Sequence, residues 1–368
     1  MLRDYQQAAV DSAVEWMKKC CDPAIIESPT GSGKSHIASA LAEWLHNASK
    51  KKVLVLAPNQ KLVKQNYKKW LATGNPASIF SASAGEKCTR HNVIFGTPGT
   101  VLNSIGRFKQ GFAGIIIDEA HGITKSILKI VETMREGNKN VRVIGMSASP
   151  YRTGEGYIYR EHYLHGTVRE DLRRENPFFH SLIYTIDARI LIERGYLAKP
   201  NLGIVAEHYD TSGLVKNKMG KWDEKTVDAA FVGRGRLTSQ IVADVIEKSR
   251  GRLGVMLFAA TIQHAKEIME SLPQHLSRIV TGENTQAEND QIIDDFEKMK
   301  FKYLVSVEML TTGFDAPHVS VIAVLRKTES ANLITQIIGR GLRPHESKPD
   351  CLILDYAENL EFHFPDGD

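Results

Sequence analysis

Short apolar runs alternate with longer amphipathic segments along the first half of the chain. Each run is rich in Ile, Val and Leu, which is typical of strands buried on both faces of a parallel sheet. Between the runs, apolar residues recur at helical spacing, as in 34–46 and 61–70. The predicted strands are 24–26, 53–56, 93–95, 115–117 and 141–144.

The second half repeats this alternation, with predicted helices at 265–269 and 291–299. Strands that alternate with helices predict an α/β fold, a mainly parallel sheet with helices on both faces. Ligands of such sheets bind at the carboxyl ends of the strands. The predicted strands are 255–258, 278–280, 303–307, 321–324 and 352–354.

The length of 368 residues suits two domains of ordinary size. We predict a first domain at 1–150, a linker at 151–180 and a second domain at 181–368. The linker segment is charged and rich in Gly, Tyr and His. Residues 209–235 are irregular and carry Gly, Lys and Asp, which predicts an inserted lobe in the second domain.

A phosphate-binding loop is predicted at residues 28–35, Ser-Pro-Thr-Gly-Ser-Gly-Lys-Ser, which follow a strand and begin a helix. Glycines there allow backbone N–H groups to converge on phosphate at the N-terminus of the helix. We expect Lys34 to contact the β- and γ-phosphates of ATP and Ser35 to bind Mg²⁺. Ser28 stands where the usual leading glycine would be. The predicted nucleotide contacts are Thr30, Gly31, Ser32, Gly33, Lys34 and Ser35.

Two carboxylates, Asp118 and Glu119, follow the isoleucines at 115–117 and therefore lie at the tip of a buried strand. A buried charge without a partner is costly, and Mg²⁺ would offset that cost. We expect Asp118 to hold the ion through water and Glu119 to orient and deprotonate the attacking water. The sequence therefore predicts a site for ATP hydrolysis.

The N-terminal residues suggest how the adenine base is recognised. The amide of Gln6 can form two hydrogen bonds with the edge of adenine, and Arg3 can stack on the ring. An ordinary N-terminal helix explains the same residues equally well.

Charge is distributed unevenly, although the formal net charge is only +4. No acidic residue lies between Glu43 and Glu86. The lysines of this interval are either a solvated helix face or contacts to phosphate, and their position beside the nucleotide motifs favours the second interpretation. They are Lys50, Lys51, Lys52, Lys61, Lys64, Lys68 and Lys69.

The cysteines argue against a metal site and against export. Cys88 and His91 have the spacing of zinc ligands, but no second pair accompanies them, so we expect no zinc. Cys20 and Cys21 are adjacent, which suits neither a metal site nor an easy disulfide. There is no apolar signal segment or membrane-length run. We therefore expect a cytoplasmic protein with no membrane partner.

The ordered motifs resemble those of superfamily 2 helicases of the DEAD/DEAH-box type. More narrowly, residues 149–152, 311–318, 339–343 and 351–357 resemble the RadD group of bacterial helicase-like repair ATPases. The superfamily motifs are Gln6, 28–35, Ala57-Pro58, 96–100, Asp118-Glu119-Ala120-His121, 147–149, 257–261, 311–315 and 336–343.

This resemblance implies two tandem RecA-like domains with an ATP cleft between them. It implies that Arg340 and Arg343 are arginine fingers and that Gln336 contacts the γ-phosphate or the attacking water. Gly313 and Asp315 would approach the ribose of ATP.

The resemblance also implies roles in coupling and in nucleic-acid binding. Ser147 and Ser149 would link the Mg²⁺ site to closure of the cleft. A track of contacts to the nucleic-acid backbone would carry little sequence information, so binding to single-stranded or branched DNA is expected to be independent of sequence. The residues of this track would be Pro58, Gln65, Thr97, Phe258 and Thr311.

The expected function is therefore that of a DNA-stimulated ATPase that moves along or remodels DNA in recombination or repair. We expect a monomer, with single-strand-binding or recombination proteins as candidate partners. The chain starts at the adenine motif and lacks the Cys-rich segment of RadD-type proteins, so we expect no added DNA-binding domain and no wedge outside 209–235. An RNA helicase and an ATP-gated DNA-binding scaffold remain alternatives.

Overall fold

The computed structural model describes residues 2–152, 154–218, 220–307 and 315–365. The chain divides into two compact units, Met1–Ile190 and Leu191–Asp368. Each unit contains one large, mainly parallel sheet, which confirms the predicted α/β fold. In the described ranges, no helix is long and apolar enough to cross a membrane.

The first unit contains the following elements. Its helices are α1 (Asp4–Lys19), α2 (Lys34–Ser49), α3 (Gln60–Leu71), α4 (Pro98–Leu102) and α5 (Lys125–Gly137). Its strands are β1 (Ala24–Glu27), β2 (Lys52–Leu56), β3 (Ser78–Ser81), β4 (Glu86–Lys87), β5 (Val93–Gly96), β6 (Phe112–Ile117), β7 (Arg142–Ser147), β8 (Tyr151–Arg152), β9 (Gly156–Tyr157), β10 (Tyr159–His162), β11 (Gly166–Thr167) and β12 (Phe179–Thr185).

Within the described residues of this unit, ten strands form one sheet in the order β11-β10-β12-β1-β7-β6-β2-β5-β3-β4. The strands from β10 to β3 are parallel, and the short edge strands β11 and β4 are antiparallel. Alternate residues of each strand point to opposite faces. Ile26 and Val55 belong to one apolar cluster, whereas Ile25 and Leu54 belong to the other.

Residues 151–180 differ from the predicted linker, because they contribute strands to the first sheet. β12 pairs in parallel with β1, and β10 pairs with β12. Phe179 and Leu182 are buried in β12. A Cβ atom at Gly145 would lie 2.5 Å from the Phe179 ring, so the glycine makes room for it. The boundary between the units is therefore at residue 190 and not near residue 150.

The second unit contains a six-stranded parallel sheet among its described residues, in the order β13-β18-β17-β14-β16-β15. Its strands are β13 (Lys199–Leu202), β14 (Gly254–Ala259), β15 (Ser277–Val280), β16 (Tyr303–Ser306), β17 (Val319–Leu325) and β18 (Asp350–Asp355). Helix α6 (Ala188–Glu193) crosses the boundary, and the other helices are α7 (Glu224–Phe231), α8 (Gly235–Lys248), α9 (Ile262–Ser271), α10 (Gln286–Glu297), α11 (Ala331–Gly341) and α12 (Asn359–His363).

Side chains that accept hydrogen bonds from the first turn fix where several helices begin. Asn59 caps α3, Thr124 caps α5 and Thr261 caps α9. At α10, Thr285 and Glu288 form a reciprocal capping box. Each cap satisfies a backbone N–H group that has no partner within the helix. Several helices thus begin directly after the loops at the carboxyl ends of strands.

The predicted inserted lobe at 209–235 is anchored in the core of the second unit at both ends. Tyr209 and Phe231 are buried, with ring centroids 4.9 Å apart. Tyr209 also contacts the buried His264 of α9, whose Nε2 lies 2.9 Å from the tyrosine hydroxyl oxygen. Part of this segment is therefore structural core.

His264 is held neutral by this arrangement. Its Nδ1 accepts a hydrogen bond from the backbone N–H of Ala260, so Nε2 carries the proton and donates to Tyr209. The Tyr209 hydroxyl then donates to Thr238, 3.1 Å away. Burial lowers the pKa of His264 to about 3.

We predict that acid weakens the second unit through His264. Because its folded-state pKa lies below the unfolded value, its stabilising contribution is present above about pH 6.5 and is lost as pH falls toward 3. The loss approaches about 1.4 kcal/mol per pH unit. Hydrogen exchange of β14 and α9 between pH 7 and pH 4.5 should show this dependence.

His264→Gln removes this titrating group and should reduce the pH dependence of exchange, leaving the part that His318 contributes, since burial lowers the pKa of His318 to about 4. The exposed-residue control His275→Gln should retain the full dependence. If the wild-type chain and His264→Gln share one pH dependence, the histidine does not make this contribution.

Candidate functional site

The carboxyl edge of the first sheet collects the predicted catalytic segments. The phosphate-binding loop follows β1, Asp118 and Glu119 follow β6, and Ser147 ends β7. These strands are neighbours in the sheet, in the order β1-β7-β6. The structure therefore brings the predicted phosphate loop, acidic pair and coupling serines together.

The phosphate-binding loop has the backbone conformation that its glycines permit. Gly31 and Gly33 have φ values of 85° and 82°, in the left-handed region. A Cβ atom at Gly33 would also lie 2.6 Å from the Gln6 side chain. The Lys34 ammonium lies over the loop, with Nζ 3.2 Å from the Ser28 carbonyl oxygen and 3.5 Å from that of Pro29.

Ser28, the departure from the usual leading glycine, stabilises this loop. Its hydroxyl donates to the Ser32 hydroxyl at 2.7 Å, and the latter donates to the Pro29 carbonyl oxygen at 2.6 Å. Ser28 and Ser32 are both buried. Where a glycine would leave the backbone flexible, Ser28 restricts the loop through these two hydrogen bonds.

Gln6 makes contacts other than those predicted for adenine recognition. Its Nε2 donates to the Ser32 carbonyl oxygen at 2.9 Å, and its Oε1 accepts from the Arg3 backbone N–H at 3.0 Å. The Tyr5 hydroxyl donates to the same Ser32 oxygen at 2.6 Å. Helix α1 is thus tied directly to the phosphate-binding loop.

The Asp118 carboxylate is buried at the end of β6, with 5% of the residue exposed. Oδ2 accepts from the Asn66 amide at 2.9 Å, and Oδ1 accepts from the Glu119 backbone N–H at 3.0 Å. Burial, with a further contribution from the Glu119 charge, raises the pKa of Asp118 to about 6, although Asn66 and Lys34 oppose the shift. Protein dipoles alone therefore compensate this carboxylate incompletely.

Glu119 adopts a left-handed backbone conformation with φ of 50°, which a residue with a side chain rarely adopts. Its Oε2 atom is buried and makes no hydrogen bond with the described residues. The same atom lies 3.4 Å from Nδ1 of His121. Burial lowers the pKa of His121, which favours the neutral imidazole.

Ser147 connects the phosphate-binding loop to the acidic segment. Its carbonyl oxygen accepts from the Ser28 N–H at 2.9 Å. Its hydroxyl donates to the Ser149 carbonyl oxygen, so Nδ1 of His121, 3.1 Å away, donates to the hydroxyl. The predicted coupling residues thus contact both nucleotide-binding motifs within the first unit.

Sequence reasoning missed Asn66, Tyr5 and Arg152 as site residues. Asn66 is a polar residue on the buried face of α3, between Leu62 and Trp70, and that position was the available signal. Arg152 donates to the carbonyl oxygens of His121 at 2.6 Å and of Ile123 at 3.2 Å, and so holds the segment that follows the acids.

The residues at this edge fit Mg²⁺ and ATP. The buried Oε2 of Glu119 lacks a hydrogen-bond partner in the described part of the chain, and the Asp118 pKa is raised beside the Ser35 loop. A divalent cation would relieve this excess of buried negative charge. Ser35, at the start of α2, and Asp118 would hold the ion, while Lys34 and the loop N–H groups would bind phosphate.

Pro58 and Thr97 of the predicted nucleic-acid track line one cavity of about 280 Å³ together with Asp118 and Glu119. Gln65 is half-buried on α3. On the same helix Lys64 and Lys68 are exposed. Pro58 and Thr97 thus lie at the edge that carries the acids.

The predicted finger residues lie at the end of α11 in the second unit. Gln336 and Arg340 are one helical turn apart. Arg343 follows the helix and pairs with Asp315, its Nη1 lying 2.7 Å from Oδ1. A finger candidate and a ribose-binding candidate are therefore in direct contact.

A buried lysine that sequence reasoning missed joins the same two segments. Nζ of Lys348 donates to the carbonyl oxygens of Gly341 at 2.7 Å, Val319 at 2.8 Å and Pro317 at 3.0 Å. It thereby ties the C-terminus of α11 to the residues that follow Asp315. Burial lowers the pKa of Lys348 to about 8.

Phe258 differs from its prediction as a nucleic-acid contact. It lies in the central strand β14 and is 2% exposed, so its ring packs in the core and offers no surface to a nucleic-acid backbone. Thr311 and Gly313 lie outside the described residues.

Cys88 and His91 both contact Ser78. The Ser78 hydroxyl oxygen lies 3.5 Å from Sγ of Cys88 and 3.1 Å from Nδ1 of His91. Across the described ranges, no group of three or more His, Cys, Asp or Glu residues is arranged to hold a metal ion.

Comparison with known proteins gives two family matches in chain order. Residues 1–152 match the family "Type III restriction enzyme, res subunit", and residues 238–345 match "Helicase conserved C-terminal domain". A relative described as a mitochondrial ATP-dependent helicase, irc3 of Schizosaccharomyces pombe, is 25% identical over 383 aligned positions, 98% of this chain and 58% of the relative. The chain thus spans little more than half the length of that protein.

Two solved structures share the fold. A fragment described as an HsdR subunit of a type I restriction enzyme from Vibrio vulnificus has a TM-score of 0.73 at 22% identity, covering 100% of this chain and 66% of that chain. The ATP-dependent Type ISP restriction-modification enzyme LlaBIII bound to DNA has a TM-score of 0.68 at 17% identity, covering 97% of this chain and 28% of that chain.

The narrower resemblance to the RadD group stays a prediction. The family matches fall in order on the two α/β units, and the motifs of the phosphate loop and the acidic pair meet at one sheet edge. The chain therefore carries two family domains in order, a restriction-enzyme res-subunit domain and a conserved helicase C-terminal domain, which confirms the predicted resemblance to superfamily 2 helicases.

Proposed function

We propose that this chain is an ATP-dependent DNA helicase or translocase whose ATP hydrolysis is stimulated by nucleic acid, and that it remodels DNA in recombination or repair. The observation that carries the proposal is the buried acidic pair beside the phosphate-binding loop. Asp118 has a raised pKa, and Glu119 presents a buried carboxylate oxygen without a hydrogen-bond partner in the described residues. Such a pair suits hydrolysis of a phosphoanhydride bond better than nucleotide storage.

The roles follow from the contacts of each residue. Lys34 and the loop N–H groups bind the phosphates, and Glu119 orients the attacking water and accepts its proton. His121 and Arg152 hold the segment that carries Glu119. When bound at Ser35 and Asp118, Mg²⁺ supplies positive charge that stabilises the transferring phosphoryl group.

The second unit supplies the groups that sense the γ-phosphate. We assign Gln336, Arg340 and Arg343 to the γ-phosphate and Asp315 to the ribose. The Arg343–Asp315 ion pair and the Lys348 contacts hold these segments in a fixed mutual arrangement. A defined arrangement lowers the entropy lost when the transition state is bound.

The type of relative favours DNA as the partner, and the surface near the site suits binding to a nucleic-acid backbone. LlaBIII, which shares the fold, is described as bound to DNA. Pro58, Thr97 and the exposed lysines of α3 provide backbone-type contacts that do not read sequence. We also propose that the chain acts as a monomer together with single-strand-binding or recombination proteins.

All four cysteines are free thiols. Free thiols suit a reducing compartment such as the cytoplasm, which we propose as the location.

Steady-state ATP hydrolysis across a panel of nucleic acids tests the proposal. Single-stranded, forked and branched DNA of unrelated sequences should each stimulate turnover to a similar extent, with RNA weaker. Stimulation by RNA alone would replace the DNA assignment with an RNA helicase. Absence of stimulation by every member of the panel would favour the ATP-gated scaffold.

Arg343→Ala should lower ATP turnover by about 10³–10⁵-fold without weakening ATP binding, because the charge acts on the transition state. Arg252→Ala is a matched control, since Arg252 forms an ion pair of similar length, 2.6 Å, with Asp350 in the same unit. Turnover of Arg343→Ala near that of Arg252→Ala would remove Arg343 as a finger.

A further inference from the structure

Residues 215–218 and 220–222 of the second unit belong to a small antiparallel hairpin, which we call the basic hairpin. Lys216 and Trp222 pair across it, and the Asn217 N–H donates to the Lys221 carbonyl oxygen at 2.7 Å. The turn closes through a hydrogen bond from Gly220 N–H to the Asn217 carbonyl oxygen, with the glycine at φ 75°. This segment lies within the predicted lobe, and the site described above makes no use of it.

The basic hairpin is fixed to the carboxyl edge of the second sheet. The backbone N–H of Trp222 donates to the carboxylate of Glu329, which follows β17, at 2.9 Å. The Trp222 ring lies 6.5 Å from that of Phe362 in α12, which follows β18. At its base, Asp223 caps α7. The carboxyl edge is the edge at which parallel α/β sheets bind ligands.

The hairpin presents positive charge that the protein does not neutralise. Lys216, Lys218 and Lys221 are exposed, and within the described ranges none of them forms an ion pair. No acidic residue lies between 211 and 222. At its base, Asp223 and Glu329 accept hydrogen bonds from backbone N–H groups.

Aromatic rings accompany these charges. Nζ of Lys216 lies 5.1 Å from the centroid of the Trp222 ring. Nζ of Lys327 lies 4.8 Å from the centroid of Phe362, a ring that is half exposed. The carboxylates of Asp355, Glu358 and Glu361 act on this lysine, so the positive charge of the surface comes from the three hairpin lysines. Positive charges interleaved with aromatic faces are the surface chemistry used to bind single-stranded nucleic acid.

We propose that the basic hairpin binds the phosphate backbone of a single nucleic-acid strand and is a nucleic-acid contact of the second unit that the helicase motifs do not include. This inference rests on the nucleic-acid binding proposed above. The lysines contact phosphates, and Phe362 offers a face on which a base can stack. These contacts are independent of sequence.

The test compares charge-matched variants of the full chain. Lys216→Gln, Lys218→Gln and Lys221→Gln are combined in one variant. Its control combines Lys266→Gln, Lys298→Gln and Lys300→Gln, which remove the same charge from exposed lysines that pair with Glu283, Asp294 and Asp295. Binding of a fluorescent oligothymidylate is measured by anisotropy over a series of KCl concentrations.

The hairpin variant should bind more weakly at low salt. The slope of log binding constant against log KCl concentration should fall in magnitude by about 2, since each of three phosphate contacts on a single strand contributes about 0.7. The control should keep the wild-type slope. Replacing the same three lysines with arginine should restore it. ATP turnover without nucleic acid should be equal in all variants.

Two failures can be told apart. If the wild-type chain binds the strand and the hairpin variant keeps its slope, or the control loses as much, the hairpin inference is overturned and the proposed function stands. If the wild-type chain neither binds nor responds to any nucleic acid, both are overturned.

Discussion

Burial of the Asp118 carboxylate is the constraint on which the first unit's site depends. The end of β6 lies inside a parallel sheet, so the carboxylate is removed from water and its pKa rises to about 6. Asn66 and the Glu119 N–H compensate it in part. Around it, α1 is tied to the phosphate loop through Gln6, and β7 is tied to His121 through Ser147. These contacts hold the buried carboxylates in a site that a bound cation would stabilise.

The second unit uses the same α/β plan with opposite chemistry. Its sheet presents arginines, Lys348 and the basic hairpin where the first presents carboxylates and a phosphate loop. Buried positive charge in this unit is held by carbonyl oxygens, as at Lys348, whose buried ammonium donates to three of them. Its charge is stabilised by the C-terminus of α11. The same fold thus carries a phosphate-binding loop and buried carboxylates in one unit, and arginines and a buried lysine at the end of α11 in the other.

Much of this could be predicted from the sequence, because buried parallel strands are short apolar runs and the phosphate loop needs glycines at fixed spacing. The strands that carry the site, β1, β6 and β7, were all predicted. β10 and β12 were missed, since Tyr, His and Arg interrupt their apolar pattern. Phe258 was placed on the nucleic-acid track from its motif position, but every residue of the central strand β14 is buried, so its ring packs in the core.

Contacts between distant segments could not be predicted from spacing. Asn66 meets Asp118 across 52 positions of sequence. Gln6 binds Ser32, although its motif predicted adenine. Such pairs depend on the packing of α1 and α3 against the sheet, which a local pattern does not specify.

Nucleotide binding and hydrolysis, measured side by side in Glu119→Gln and Lys34→Ala, test the central claim most directly. Glu119→Gln should bind ATP with near wild-type affinity while turnover falls by about 10²–10⁴-fold, because the general base is lost. Lys34→Ala should lose affinity as well as turnover. Hydrolysis by Glu119→Gln at the wild-type rate would contradict the assignment of the buried acidic pair as the catalytic centre.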